Sequence, residues 1–159
     1  MQFTIIAVGN LREKHWQAAA AEYLKRLRPY AKVKVIEIGE ERVRDEGSPA
    51  LIEQALRREA ERIEKALPAG GSLIALDVQG RGMSSEELAA HLEQAENLGR
   101  GQFTFLIGGS YGLHQSLLEQ AALRLSFSQF TFPHQLMRVI LLEQLYRAMK
   151  IIRREAYHK

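Results

Sequence analysis

The feature that most constrains this chain is an alternation. Five short apolar runs, "FTIIAV" (3–8), "VKVIEI" (33–38), "SLIALDV" (72–78), "QFTFLIGG" (102–109) and "LRLSFS" (123–128), are separated by segments with apolar residues at helical spacing. A strand can join a parallel neighbour only through a crossover, and a helix of this length supplies one. The expected fold class is therefore α/β, a mostly parallel sheet flanked by helices. Ligands of such sheets sit outside the carboxyl ends of the strands. Three loops fall there: the one after Leu76 and Asp77, the "IGGSYGL" turn, and "SFSQFTFPH".

Local signals mark the helices. Trp16, Ala19, Ala20, Tyr23, Leu24 and Leu27 share one face of a helix from about His15, which Pro29 closes. Ser48 is a candidate cap with Pro49 in the first helical position. "GRGMSSEELAAHLEQAENLGRG" reads as a glycine loop, a serine cap with acidic first-turn residues, a helix over 85–97 and a glycine stop. A further helix is expected near 113–122, and Pro133 opens the last one.

At 159 residues and 46% hydrophobic content, one domain with a real core is expected over 1–159, and no repeat or linker divides it. The chain contains no cysteine, which removes disulfides, thiolate nucleophiles and thiolate metal sites. The amino terminus lacks a signal-peptide pattern. The apolar stretch 136–152 is interrupted by Arg138, Glu143, Arg147 and Lys150, a costly pattern in a bilayer. A soluble cytoplasmic protein is expected, with no membrane partner. The net charge is only +3, but residues 138–159 alone carry +4. A polyanion would meet that end first.

"IGGSYG" puts Gly108, Gly109 and Gly112 directly after a strand, either as a tight turn or as backbone open to a ligand. No GxGxxG fingerprint or lysine-bearing P-loop occurs. Asp77 either caps its loop or orients a ribose hydroxyl. The five histidines, at 15, 91, 114, 134 and 158, show no metal-ligand spacing, so no metal is expected. Glu143, Arg147, Lys150 and Arg154 fall on one face of the last helix, as a solvated stripe or as a site. Arg138 points into the opposite apolar sector and needs a partner: a carboxylate, a helix end, a second subunit or a substrate phosphate. The breadth of that sector suggests burial on more than one side, as at a subunit interface. Tyr157 and His158 bring a phenol and an imidazole to the end of the basic stripe.

Several of these stretches together resemble one family. "VGNLREKHW" (8–16), "LDVQGRGMSSEELA" (76–89), "FLIGGSYGLH" (105–114), "LSFSQFTFPHQLMRVILLEQLYRAMKI" (125–151) and the terminal "AYHK" are similar to RlmH-type ribosomal RNA large-subunit methyltransferases of the SPOUT superfamily. The resemblance covers essentially the whole chain. It implies a carboxyl-terminal trefoil knot over about 72–159, which no strand count predicts. It also implies S-adenosyl-L-methionine as cofactor, a homodimer with the last helix at or near its interface, and methylation of a pseudouridine at N3 in 23S ribosomal RNA of the assembled 70S ribosome. By the same resemblance Leu76, Gly108, Phe127, Ser128, Gln129, Phe130, Thr131 and Phe132 would hold the cofactor, largely through backbone. His158 is the candidate proton acceptor or base orienter, Tyr157 would pack on the pseudouridine, and Arg153, Arg154 and Lys159 would hold RNA phosphates, Arg154 counting also among the catalytic candidates. A knotted methyltransferase acting on transfer RNA and a non-enzymatic ribosome-binding factor are the alternatives.

Overall fold

The computed structural model describes residues 1–157. Its strands are β1 (Gln2–Val8), β2 (Lys32–Ile38), β3 (Ser72–Gly82), β4 (Gln102–Ile107) and β5 (Leu123–Ser126). Its helices are α1 (Lys14–Leu27), α2 (Pro49–Ala66), α3 (Ser85–Asn97), α4 (Gln115–Gln120) and α5 (His134–Ile152). The strands form one sheet in the order β2-β1-β4-β3-β5, and each neighbouring pair is parallel. This is the α/β class expected from the alternation, and it is consistent with the knotted architecture that the resemblance implies.

The pleat sorts the core into two layers, because successive side chains of a strand face opposite ways. Phe3, Ile5 and Ala7 of β1 join Phe103, Phe105 and Ile107 of β4 on one face, under Leu27 of α1, Leu88 and Leu92 of α3, and Leu141, Leu145 and Ala148 of α5. Ile6, Val8 and Leu106 face the other way, onto Ala60 and Ile63 of α2 and Leu117 of α4. The central strands are therefore buried on both faces, which is why they read as continuous apolar runs. β1 leaves toward α1 on the first face, while its neighbour β4 leaves toward α4 on the second. The chain thus parts at the carboxyl ends of β1 and β4, the place where open parallel sheets hold ligands.

Local readings fare well where a cap is written in the sequence. Ser84 and Glu87 form a reciprocal capping box at α3, and Ser48 accepts a hydrogen bond from the Leu51 amide at α2. Two boundaries differ. β3 runs on to Gly82 where a glycine loop was expected, because the pairing with β5 resumes at Arg81 after an excursion over residues 77–80. α4 spans only Gln115–Gln120, its start set by His114, whose side chain accepts from the Ser116 amide.

Arg138 finds its partners inside the chain. It is 2% exposed, donates from Nη1 to Glu37 Oε1 at the end of β2, and from Nη2 to the carbonyl of Gly9 at 2.8 Å. Its Nε has no hydrogen-bond partner among the described residues. The apolar sector around it is broad because α5 lies between α1 and α3 as well as over the sheet. Leu136 and Ile140, half-buried, belong to neither core layer and share a stripe with Glu143 and Arg147.

The end of α5 corrects one expectation. Arg154 does not continue the stripe of Glu143, Arg147 and Lys150, because the helix closes at Ile152. Arg154 has φ of 55°, its amide bonds the carbonyl of Ile151, and the Glu155 amide bonds that of Lys150. That is the paired closure usually given to glycine, here carried by arginine at a cost of about 1–2 kcal/mol. The reversal turns the following residues back along α5.

Removing the carboxylate that balances Arg138 should be costly. Glu37→Gln is expected to lose about 2 kcal/mol in urea unfolding, less than for a fully buried pair because Glu37 is 41% exposed. A change below about 0.5 kcal/mol, the range of an inert surface substitution, would contradict this.

Candidate functional site

A cavity of about 550 Å³ opens where β3, β4 and β5 end and α5 begins, within the size range of small-molecule sites. Its floor is backbone. A Cβ on Gly108 would lie 2.4 Å from the Gly112 carbonyl group, so the turn 108–112 closes on itself only with glycine there. One on Gly109 would lie 2.8 Å from Glu40 Oε1. The walls are apolar and aromatic, from Leu76, Ile107, Phe127, Phe132 and Met137, with Ser128, Thr131 and the peptide groups as polar points. Such a lining suits a flat heterocycle held by backbone hydrogen bonds. Phe130, 79% exposed, stands at the rim.

Two carboxylates brace the loops. Asp77 accepts from the Gln79 amide through Oδ1 and from Arg124 through Oδ2, which stitches the 77–80 excursion to β5. Of its two expected roles, the loop cap is therefore present, though Asp77 also borders the cavity. Glu40, just beyond β2, accepts from both the amide and the hydroxyl of Ser110, at 2.9 and 2.7 Å. Burial alone would raise its pKa. The two Ser110 bonds, with His134 and Arg12 nearby, together hold it below the usual carboxylate range. At neutral pH it is an anion that fixes the glycine turn.

The expected site residues fall into two groups. Leu76, Gly108, Phe127, Ser128, Phe130, Thr131 and Phe132 border the cavity, whereas Gln129 is not among its lining residues. Tyr157 is elsewhere. Its hydroxyl donates to Glu143 Oε1 at 3.1 Å, its ring meets Tyr146 edge-on at 4.8 Å, and the Arg147 guanidinium lies 4.9 Å from the ring centre. Burial, with the Glu143 carboxylate beside it, pushes the phenol above its ordinary pKa, so it stays protonated. Glu143 and Arg147, one turn apart, make an ion pair. Lys150 pairs with Glu155, which Tyr30 also donates to. Arg153 and Arg154 are exposed and make no ion pair with described residues. His158 and Lys159 lie outside the described residues.

The distance between the groups follows from helix geometry. Met137, the residue furthest along α5 that borders the cavity, precedes Glu143 and Arg147 by six and ten residues. At 1.5 Å per residue, that separates Tyr157 from the cavity by roughly 9–15 Å along the axis.

Sequence reasoning passed over Glu40 and His134. The carboxyl-end rule points to Glu40 as well, because β1 and β2 end at the same edge as β3, β4 and β5. His134, the last residue of "SFSQFTFPH", carries its signal in that loop and not in any metal-ligand spacing. No cluster of three or more histidine or carboxylate side chains suited to a metal occurs among the described residues. Nor is any described helix long and apolar enough to cross a membrane.

The parallel sheet, the glycine-floored cavity at its strand ends and the separate basic end fit the SPOUT methyltransferase class that the sequence resembles. Comparison with known proteins agrees. A family model described as "Predicted SPOUT methyltransferase" matches residues 1–158. The chain is 53% identical over 159 residues to "Ribosomal RNA large subunit methyltransferase H" of Moorella thermoacetica, covering 100% of this chain and 99% of that one. Two solved structures share the fold. A probable methylase family protein from Haemophilus influenzae has a TM-score of 0.58 at 14% identity, covering 99% of this chain and 70% of its own. A probable methyltransferase from Bordetella pertussis has 0.53 at 15%, covering 93% and 95%. The chain belongs to the SPOUT methyltransferase family and is of its RlmH type, with S-adenosylmethionine as methyl donor.

The glycine floor makes a direct prediction. Gly108→Ala should weaken S-adenosylmethionine binding about tenfold to a hundredfold in calorimetric titration, the equivalent of about 1–3 kcal/mol of overpacking, with the circular dichroism unchanged. Unaltered affinity would show that the donor is not held by this turn.

Proposed function

We propose that this protein transfers a methyl group from S-adenosylmethionine to N3 of a pseudouridine in 23S ribosomal RNA of the assembled 70S ribosome. The observation that carries the reading is the full-length, 53% identical relative named as a ribosomal RNA large-subunit methyltransferase. A cavity of about 550 Å³ with a backbone floor, at the strand ends, fits the donor and supports it. The setting is the cytoplasm, where ribosomes are, and the whole chain acts as one methyltransferase domain.

When bound, the donor supplies a methyl group already activated on a sulfonium, so neither a metal nor a covalent nucleophile is required. The protein has three remaining tasks. Backbone of Leu76, Gly108 and the 127–132 loop would orient the donor for in-line transfer. A basic group must take the N3 proton as the nitrogen–methyl bond forms, and His158 is the candidate acceptor. The phenol of Tyr157 stays protonated and is suited to packing and hydrogen bonding, not to proton abstraction. Arg153, Arg154 and Lys159 would hold RNA phosphates, the two arginines being exposed and uncommitted among the described residues. The left-handed backbone of Arg154 turns the tail and supports its part in the site.

The active form in this reading is a homodimer whose tail serves the cavity of the other subunit. Two features support it. The tail of one chain packs on the far half of the helix whose first turn borders its own cavity. The half-buried Leu136 and Ile140 stripe leaves an apolar face beside Glu143 and Arg147 for a second copy.

Purified protein, given methyl-labelled S-adenosylmethionine with unmodified ribosomes, separated subunits, free 23S RNA and transfer RNA in parallel, should label N3-methylpseudouridine from ribosomes. Label confined to transfer RNA would contradict the substrate. His158→Ala should lower single-turnover transfer at saturating ribosomes by about 10²–10⁴-fold, and an unchanged rate would remove the histidine from proton transfer.

A further inference from the structure

Beside the donor cavity lies a second, polar cleft of about 350 Å³, bordered by Gly9, Asn10, Arg12, Gly39, Glu40, Arg42, His134 and Gln135. It sits at the carboxyl ends of β1 and β2. His134 borders both spaces and Glu40 stands between them, bonded to the Ser110 turn of the donor cavity. We propose that this cleft is a phosphate subsite, in which Arg12 and Arg42 hold a backbone phosphodiester of the RNA close to the nucleoside being methylated. The proposal rests on the ribosomal RNA reading above.

Three observations carry it. First, Arg12 and Arg42 make no ion pair with any described residue, unlike the buttressing arginines Arg62, Arg124, Arg138 and Arg147, each paired to a carboxylate. Second, the loop that bears Arg12 is pinned where it matters: Gln135 Oε1 of α5 accepts from the amides of Arg12 at 2.9 Å and Glu13 at 3.5 Å. The backbone is fixed while the guanidinium remains exposed. Third, Glu40 is the one carboxylate among the described residues bordering the cleft, with Oε1 engaged by Ser110 and Arg12 nearby, so the two arginines leave the cleft net positive.

The exposure of both guanidiniums decides the ligand. A phosphodiester on a large polyanion meets them from solvent, and a small carboxylate offers the same sign of charge. The donor's own carboxylate is therefore the competing occupant that an experiment must separate.

The test uses the full-length chain carrying Arg12→Gln and Arg42→Gln. Both side chains are exposed and unpaired, so folding should be kept, and donor titration reports an intact cavity. Binding to unmodified ribosomes is measured over a salt series. Affinity should fall about tenfold near 0.1 M salt, and the slope of log K against log salt should become shallower by about 1.4, as for two lost single-strand phosphate contacts. S-adenosylmethionine affinity should not change. The Arg12→Lys and Arg42→Lys pair should restore most of the slope, because lysine still meets a phosphate as a point charge.

Ribosome affinity and slope equal to the wild type would overturn the subsite while leaving the function intact. Weaker donor binding at an unchanged melting temperature would overturn it in favour of the donor carboxylate. A wild-type protein that itself fails to bind or methylate ribosomes would bring down the functional reading and the subsite together.

Discussion

One buried guanidinium holds the working end of the molecule together. Arg138 reaches from α5 to the Glu37 carboxylate on β2 and to the carbonyl of Gly9 where β1 ends. Burying a cation is expensive unless it is paired, so the sheet end and the helix are bound to one arrangement. That arrangement sets the first turn of α5, with His134 against both the cavity and the neighbouring cleft. Gln135, on the same turn, fixes the loop after β1, and Glu40 fixes the turn after β4. The cavity is thus framed by polar contacts between loops, while its interior stays apolar.

Much of the fold was legible because its signals are local. The five apolar runs, the Ser48 and Ser84 caps and the opening Pro133 each determine nearby backbone. The extension of β3 to Gly82 was not legible, because it depends on the pairing of Arg81 and Gly82 with a strand more than forty residues away. Arg138 was legible as a problem and not as a solution: the helix face showed a charge in an apolar sector, but Glu37 lies 101 positions away in the chain. The apolar sector that suggested a second subunit is explained by α1 and α3, whereas the half-buried Leu136 and Ile140 lie on the opposite face, in the stripe of Glu143 and Arg147.

The site shows the same division. "IGGSYG" and "SFSQFTFPH" stood out as loops at strand ends, and both border the cavity. Glu40 gave no such sign, since a glutamate in a charged loop looks solvated until Ser110 is beside it. The tail was conspicuous in composition, yet its placement depends on Arg154 leaving the helix with positive φ and sending Tyr157 back to Tyr146 and Glu143. An arginine in that conformation is uncommon enough that helical periodicity carried the stripe one turn too far.

The geometry separates a cavity at one end of α5 from a tyrosine-bearing tail on its other half, and in the proposed function these are two halves of one reaction. The most direct test is complementation between subunits. Gly108→Ala protein, chosen to disable the donor cavity, and His158→Ala protein, chosen to disable the tail, are each assayed alone and then as isolated mixed dimers. The account predicts strong recovery of methyl transfer in the mixed dimer, because one cavity and one tail of opposite subunits remain intact together. Mixed dimers no more active than either parent would contradict it and return the tail to its own subunit.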